Sequence, residues 1–189
     1  KCKSMKRVLL IILCTVGLWC ACTEEKPGFY RGGGGLCFYP SRTNDSYPYF
    51  GDGIDGRDSM TIVSSTKLRD TLYFRLMVYG QKSTKDRYFS LKQSVLSHLD
   101  SVSYVNDSTA VAVEGVNFVS FDDPEMQKYY VIHPDSSNVY VPIIMTYDPN
   151  TAGERQNFCL YFEIVPNDEI SVFDPRFYRA ELRMRQTEN

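Results

Sequence analysis

The stretch Asp70-Thr71-Leu72-Tyr73-Phe74-Arg75-Leu76-Met77-Val78-Tyr79-Gly80 alternates without a break. Leu72, Phe74, Leu76 and Val78 fall on one side, and Tyr73, Arg75, Met77 and Tyr79 on the other. A period of two is the mark of a strand with one buried and one open face. The same rhythm recurs through the chain: Leu36 and Phe38; Val139, Val141, Ile143 and Met145; Phe158, Leu160, Phe162 and Ile164. At the end Tyr178, Ala180, Leu182 and Met184 alternate with Arg179, Glu181, Arg183 and Arg185. Pro142 interrupts one run, and because proline has no amide donor it predicts an edge strand or a bulge there.

Turn-forming pairs separate the runs: Asp52-Gly53, Asp55-Gly56, Asn106-Asp107, Pro134-Asp135, Asp148-Pro149-Asn150 and Pro166-Asn167. One short helix is expected around Ser94 to Asp100, where the spacing of Leu91, Val95 and Leu99 allows it; Tyr88 to Gln93 reads equally well as strand. Short strands, frequent turns and little helix predict an all-β chain, an antiparallel β-sandwich burying its apolar faces sheet against sheet. Gly115 is expected to take a positive φ and reverse the chain, with Phe118 dropping into the core behind it.

Lys6-Arg7, the apolar run Val8 to Ala21, and Cys22 followed by Thr23-Glu24-Glu25 have the order of a bacterial lipoprotein signal. The run of 14 residues makes about 21 Å of helix, short of the roughly 30 Å hydrocarbon core. Residues 1–21 are therefore expected to be removed and Cys22, preceded by the small Ala21, to carry the lipid. Residues 22–35 read as a flexible tether ending in Gly32-Gly33-Gly34-Gly35, and 36–189 as a single sandwich domain. Glu24 and Glu25 after the lipidated cysteine resemble a surface-export signal. The expected location is the outer membrane, lipid-anchored and cell-surface exposed, with the periplasmic face as the alternative.

The formal charge is −2, and removal of Lys1, Lys3, Lys6 and Arg7 takes it to −6, since no acid precedes Glu24. An acidic product argues against nucleic acid as a partner. Four of the six cysteines, Cys2, Cys14, Cys20 and Cys22, belong to the signal, leaving Cys37 and Cys159. Their spacing leaves a disulfide open, and two separate thiols are the preferred reading.

Candidate chemistry is sparse. His98 and His133, the chain's two histidines, have no neighbouring nucleophile, and no G-x-S-x-G elbow is present. Asp122 and Asp123 are adjacent, a poor arrangement for two opposed carboxylates. Asp52, Asp55 and Asp58 form the best cation loop, yet miss the EF-hand spacing. No catalytic, cofactor or metal residues are assigned, and the chain reads as a non-enzyme. Tyr47, Tyr49, Phe50, Tyr129, Tyr130 and Tyr140 are the candidate stacking surfaces for a sugar or peptide. The lone Trp19 lies in the signal.

The segment Ser108 to Phe118, with Ala112, Gly115, Asn117 and Phe118, resembles the glycine turn of Calx-beta and related immunoglobulin-like sandwiches. Together with Asp70 to Leu76, Tyr130 to Pro134, Val139 to Ile144 and Leu160 to Asn167, it is similar to a family of Bacteroidota surface lipoproteins. The resemblance implies an immunoglobulin-like, Calx-beta-like sandwich and an accessory protein beside SusC/SusD-type importers of glycans or peptides. It carries over no catalytic residue. Calx-beta domains bind calcium through clustered acids, and this chain departs from that pattern, with an Asp-Asp pair only at Asp122-Asp123. The expected function is a non-catalytic binding or scaffolding protein of an outer-membrane nutrient-uptake system. The alternative is an adhesin-like or structural surface module that contacts other proteins through a strand edge.

Overall fold

The computed structural model describes residues 34–39, 60–80, 82–94, 109–151, 156–172 and 178–188. In chain order their elements are β1 (Gly35–Phe38), β2 (Met60–Ser64), β3 (Arg69–Tyr79), β4 (Arg87–Tyr88), β5 (Ser90–Gln93), β6 (Thr109–Val111), α1 (Pro124–Gln127), β7 (Val131–Ile132), β8 (Asn138–Thr146), β9 (Gln156–Val165), β10 (Ser171–Val172) and β11 (Arg179–Thr187). One sheet runs β10-β1-β3-β8, a second runs β2-β11-β9-β5 with β6 also on β9, and β4 pairs with β7.

Register follows from the apolar alternation. Leu72, Phe74 and Leu76 stand opposite Ile143, Val141 and Val139, so both strands turn their apolar set the same way. Across the sandwich Ala180, Leu182 and Met184 stand opposite Phe162, Leu160 and Phe158. Phe162 joins the two layers, with its ring edge-to-face to Phe38 at 5.4 Å and to Phe74 at 4.9 Å. The chain is thus an all-β sandwich. Most pairings are antiparallel as expected, while β1–β10, β2–β11 and β6–β9 are parallel and lie at sheet edges.

Pro142 sits in an edge strand, and the phase of the backbone explains why it does no harm. Val119 N–H donates to the Ile144 carbonyl and Thr146 N–H to the Asn117 carbonyl, so even-numbered residues of β8 direct their backbone away from β3. Pro142 shares that phase, and the ladder to β3 loses no donor. Gly115 adopts φ +73° as expected. It heads a tight turn in which Val116 and Asn117 N–H both reach the Val113 carbonyl, and Phe118 behind it is fully buried. A Cβ on Gly115 meets nothing within 4 Å. Gly115→Ala should therefore lose only the backbone term, about 1–2 kcal/mol in urea denaturation, and Gly115→Asn less.

The edge strand β2 is closed by Asp70. Its carboxylate accepts the Thr61 hydroxyl and the Ile62 N–H, and pairs with Lys67 at 2.7 Å. Partial burial works to raise the Asp70 pKa, but hydrogen bonds from Lys67, Thr61 and Ile62 outweigh it and hold it below the ordinary value. A lowered carboxylate stabilises the fold above its unfolded pKa, and that contribution fades as pH falls through the folded value. Asp70→Asn should cost about 1 kcal/mol near neutrality. The gap between the two proteins should close as the pH drops below about 4, which thermal melts across pH 2.5 to 7 would measure.

Three features depart from or go beyond the expected outline. The first is at the glycine run, where β1 begins at Gly35 and the Gly34 carbonyl accepts the Ser171 N–H, so the last two glycines belong to the sheet. A Cβ on Gly34 would lie 2.0 Å from Arg87 Nη1, so any side chain there would require the Arg87 guanidinium to move aside. Second, a four-residue helix, α1, forms at Pro124–Gln127; of the helix expected around Ser94 to Asp100, Ser94 follows β5 and the rest lies outside the described residues. Third, Cys37 and Cys159 are both buried and form no disulfide, in line with the preferred reading of two separate thiols. Each alternates with core residues of its own sheet, Leu36 and Phe38 or Phe158 and Leu160, so the two buried thiols lie on the faces of their sheets turned away from the shared core. Burial foremost, with the Glu181 carboxylate, pushes the Cys159 thiol up to about 12, which keeps it protonated and unreactive.

Candidate functional site

An open groove of about 280 Å³ lies between the segment leading through β7 and the start of β8. Its origin is local. Asp123 caps α1, accepting the Glu125 N–H at 2.7 Å, and Pro124 occupies the first turn. Met126 anchors the helix in the core, and the chain leaves it through a turn at Lys128 and Tyr129 before β7 begins at Val131. Alternation then sends Tyr130 and Ile132 inward, each 1% exposed. Tyr129, Val131 and His133 are left along one wall. A turn follows, in which Asp135 takes φ +58° and Ser136 N–H reaches the His133 carbonyl. The returning strand supplies Ser136, Asn138, Val139 and Tyr140 as the opposite wall, with Lys128 at the rim.

Among the described residues no acid lines this groove. Lys128 Nζ stands 5.1 Å from the Tyr129 ring centroid, and no carboxylate pairs with it among the described residues. Arg75, opposite Tyr140 in the ladder, stacks over Tyr39 at 4.4 Å and donates through Nε to Asn138 Oδ1 at 2.8 Å. That bond orients the Asn138 amide and leaves its NH₂ as a donor. His133 Nδ1 lies 3.0 Å from Asp86 Oδ1, so Nε2 is the ring atom available to a ligand. Tyr140 is 49% exposed, and Tyr88, paired with Val131, adds a second exposed ring beside the wall.

The expected site residues fall into distinct places. Tyr129 and Tyr140 come together in the groove. Tyr130 is corrected: it is a core residue packed on Phe89, its phenol raised by burial first and then by the Asp122 carboxylate. His133 is at the groove mouth. Asp123 is a helix cap, so the Asp122-Asp123 pair is not a set of opposed carboxylates. Among the described residues no group of acids, histidines and cysteines is placed to hold a metal. Cys22, Tyr47, Tyr49, Phe50, His98 and the loop of Asp52, Asp55 and Asp58 lie outside the described residues. Reading single residues missed Lys128, Arg75, Asn138 and Tyr88. The period-two run Tyr129, Val131, His133 was the signal that a common wall existed.

No protein-family model matches the chain, and no curated protein matches it either. Among solved structures it is similar to the apo form of the Calx CBD1 domain, with 10% identity and a TM-score of 0.40, over 84% of this chain and 99% of that one. It is also similar to a two-domain protein of unknown function from Bacteroides fragilis, with 7% identity and a TM-score of 0.40. That match covers 83% of this chain and 46% of the other.

Proposed function

We propose that this protein is a non-catalytic binding module, held at the outer membrane by lipid on Cys22, that captures a glycan or peptide for a nutrient-uptake system. The observation that carries the reading is the groove between β7 and β8. It combines two tyrosine rings with amide, hydroxyl, imidazole and ammonium groups from β8 and the turns flanking β7, the composition of a small recognition site rather than of a reaction centre. The order of basic start, apolar run and Cys22 supports the anchor. The likeness of the chain's motifs to surface lipoproteins beside SusC/SusD-type importers supports the setting.

Arrays of oligosaccharides and peptides probed with the full chain test the reading. Binding should fall about tenfold or more in Tyr140→Ala and Tyr129→Ala, the loss typical of a central aromatic contact. Unchanged binding in both variants, or no binding to any probe, would overturn it. The anchor is tested separately by Cys22→Ser, which should abolish lipid labelling and release the protein from membranes. Retained labelling would place the lipid on another cysteine. Pull-down of the lipidated protein should bring a β-barrel importer with it.

A further inference from the structure

We infer that the groove takes an acidic saccharide, with a sugar carboxylate set against Lys128 and the sugar ring against Tyr140. The inference rests on the binding reading above and narrows it. Its first ground is charge. In a chain of net charge −2, the groove is lined by no acid among the described residues and is rimmed by Lys128. The charge of Arg75 stands immediately behind Asn138, and neither it nor Lys128 is paired with a carboxylate among the described residues. Two acids stand next to the groove without lining it: Asp86, bonded to His133 Nδ1, and Asp135, in the turn between His133 and Ser136. An ammonium at the rim with no carboxylate paired to it favours an anionic group on the ligand.

The second ground is shape. About 280 Å³ lies just below the roughly 300–1,000 Å³ range of small-ligand pockets, which suits one ring unit of a longer chain laid across an open groove. The exposed face of Tyr140 offers a flat apolar surface to the C–H face of a pyranose. The Asn138 NH₂ and Ser136 hydroxyl can then meet ring hydroxyls. A carboxylate on the same unit reaches Lys128 as a charge-assisted hydrogen bond.

The third ground separates sugar from peptide. An added peptide strand needs a row of outward amides on β8, and Pro142 removes the one two residues beyond Tyr140. The aromatic and polar side chains of the groove remain usable by a ligand that needs no ladder.

Titration calorimetry of the full chain with a trigalacturonate and with the neutral galactose trisaccharide decides the matter. The acidic sugar should bind about tenfold tighter, and its affinity should fall with added salt. Lys128→Gln, a change at an exposed position, should erase that preference while leaving weak binding to the neutral sugar. Equal affinity for both sugars would overturn the acidic assignment and leave the binding reading standing. Preference for an acidic peptide such as tetraglutamate over either sugar would do the same. Failure of every probe to bind, together with failure on the arrays above, would overturn both.

Discussion

Phe162→Ala should unfold the protein at markedly lower urea, with a loss of about 3–5 kcal/mol. The ring is fully buried in β9 and touches Phe38 and Phe74 from the other sheet as well as Phe121. Its removal deletes the apolar area and the edge-to-face contacts that join the layers, and β-strands on both sides are too rigid to collapse into the gap. Against a usual total of about 5–15 kcal/mol that is a third or more of the stability. Phe162→Leu, which refills most of the volume, should cost roughly 1–2 kcal/mol. Tyr140→Ala, at an exposed position, should change stability by no more than about 0.5 kcal/mol. A loss below about 1 kcal/mol for Phe162→Ala would mean that the sheets do not pack through this ring.

The second large effect is expected at Gln186. Its side chain follows Ala180, Leu182 and Met184 on the inward phase of β11 and is 1% exposed. It accepts the Asp148 N–H at 2.8 Å and donates to the Asp148 carbonyl at 2.9 Å and to the Thr151 hydroxyl at 2.6 Å. One amide therefore closes the end of the sandwich where the β8–β9 connection crosses it. Gln186→Leu keeps the bulk but orphans these groups, each worth about 1–3 kcal/mol when left buried without a partner. With some relaxation of the connection the total should be about 2–4 kcal/mol, read by urea denaturation. Gln186→Glu keeps the acceptor for Asp148 N–H but sets a charge against two acceptors, and should be no better.

The large faces of this fold were legible because burial is one-sided along β3, β8, β9 and β11, and one-sided burial writes a period of two into the residues. Pro142 and Gly115 were legible for a related reason: each restricts the backbone in a way that few positions tolerate. The parallel pairings of β1 with β10 and β2 with β11 were not, since they depend on which distant strand arrives at an edge. Gln186 continues an apolar phase with a polar residue, and only the approach of Asp148 and Thr151 shows why. Gly34 reads as tether until Arg87 is seen packed against it. At the groove, Tyr129 and Tyr140 were named but Tyr130 was grouped with them, although strand alternation sends neighbours to opposite faces. Asp123-Pro124, a cap followed by a first-turn proline, was read as half of an acidic pair. Lys128 carries no signal in isolation and gains meaning from its place at the groove rim without a paired carboxylate among the described residues.

The groove between β7 and β8 is the claim on which the functional account stands, and amide chemical-shift mapping during titration of the full chain with trigalacturonate tests it most directly. The account predicts that the largest shifts appear at Lys128 to His133 and Ser136 to Tyr140, with the core around Phe162 still. Shifts centred elsewhere, for example on the exposed Val111, Val113 and Val116, or an unperturbed spectrum at saturating sugar, would contradict it.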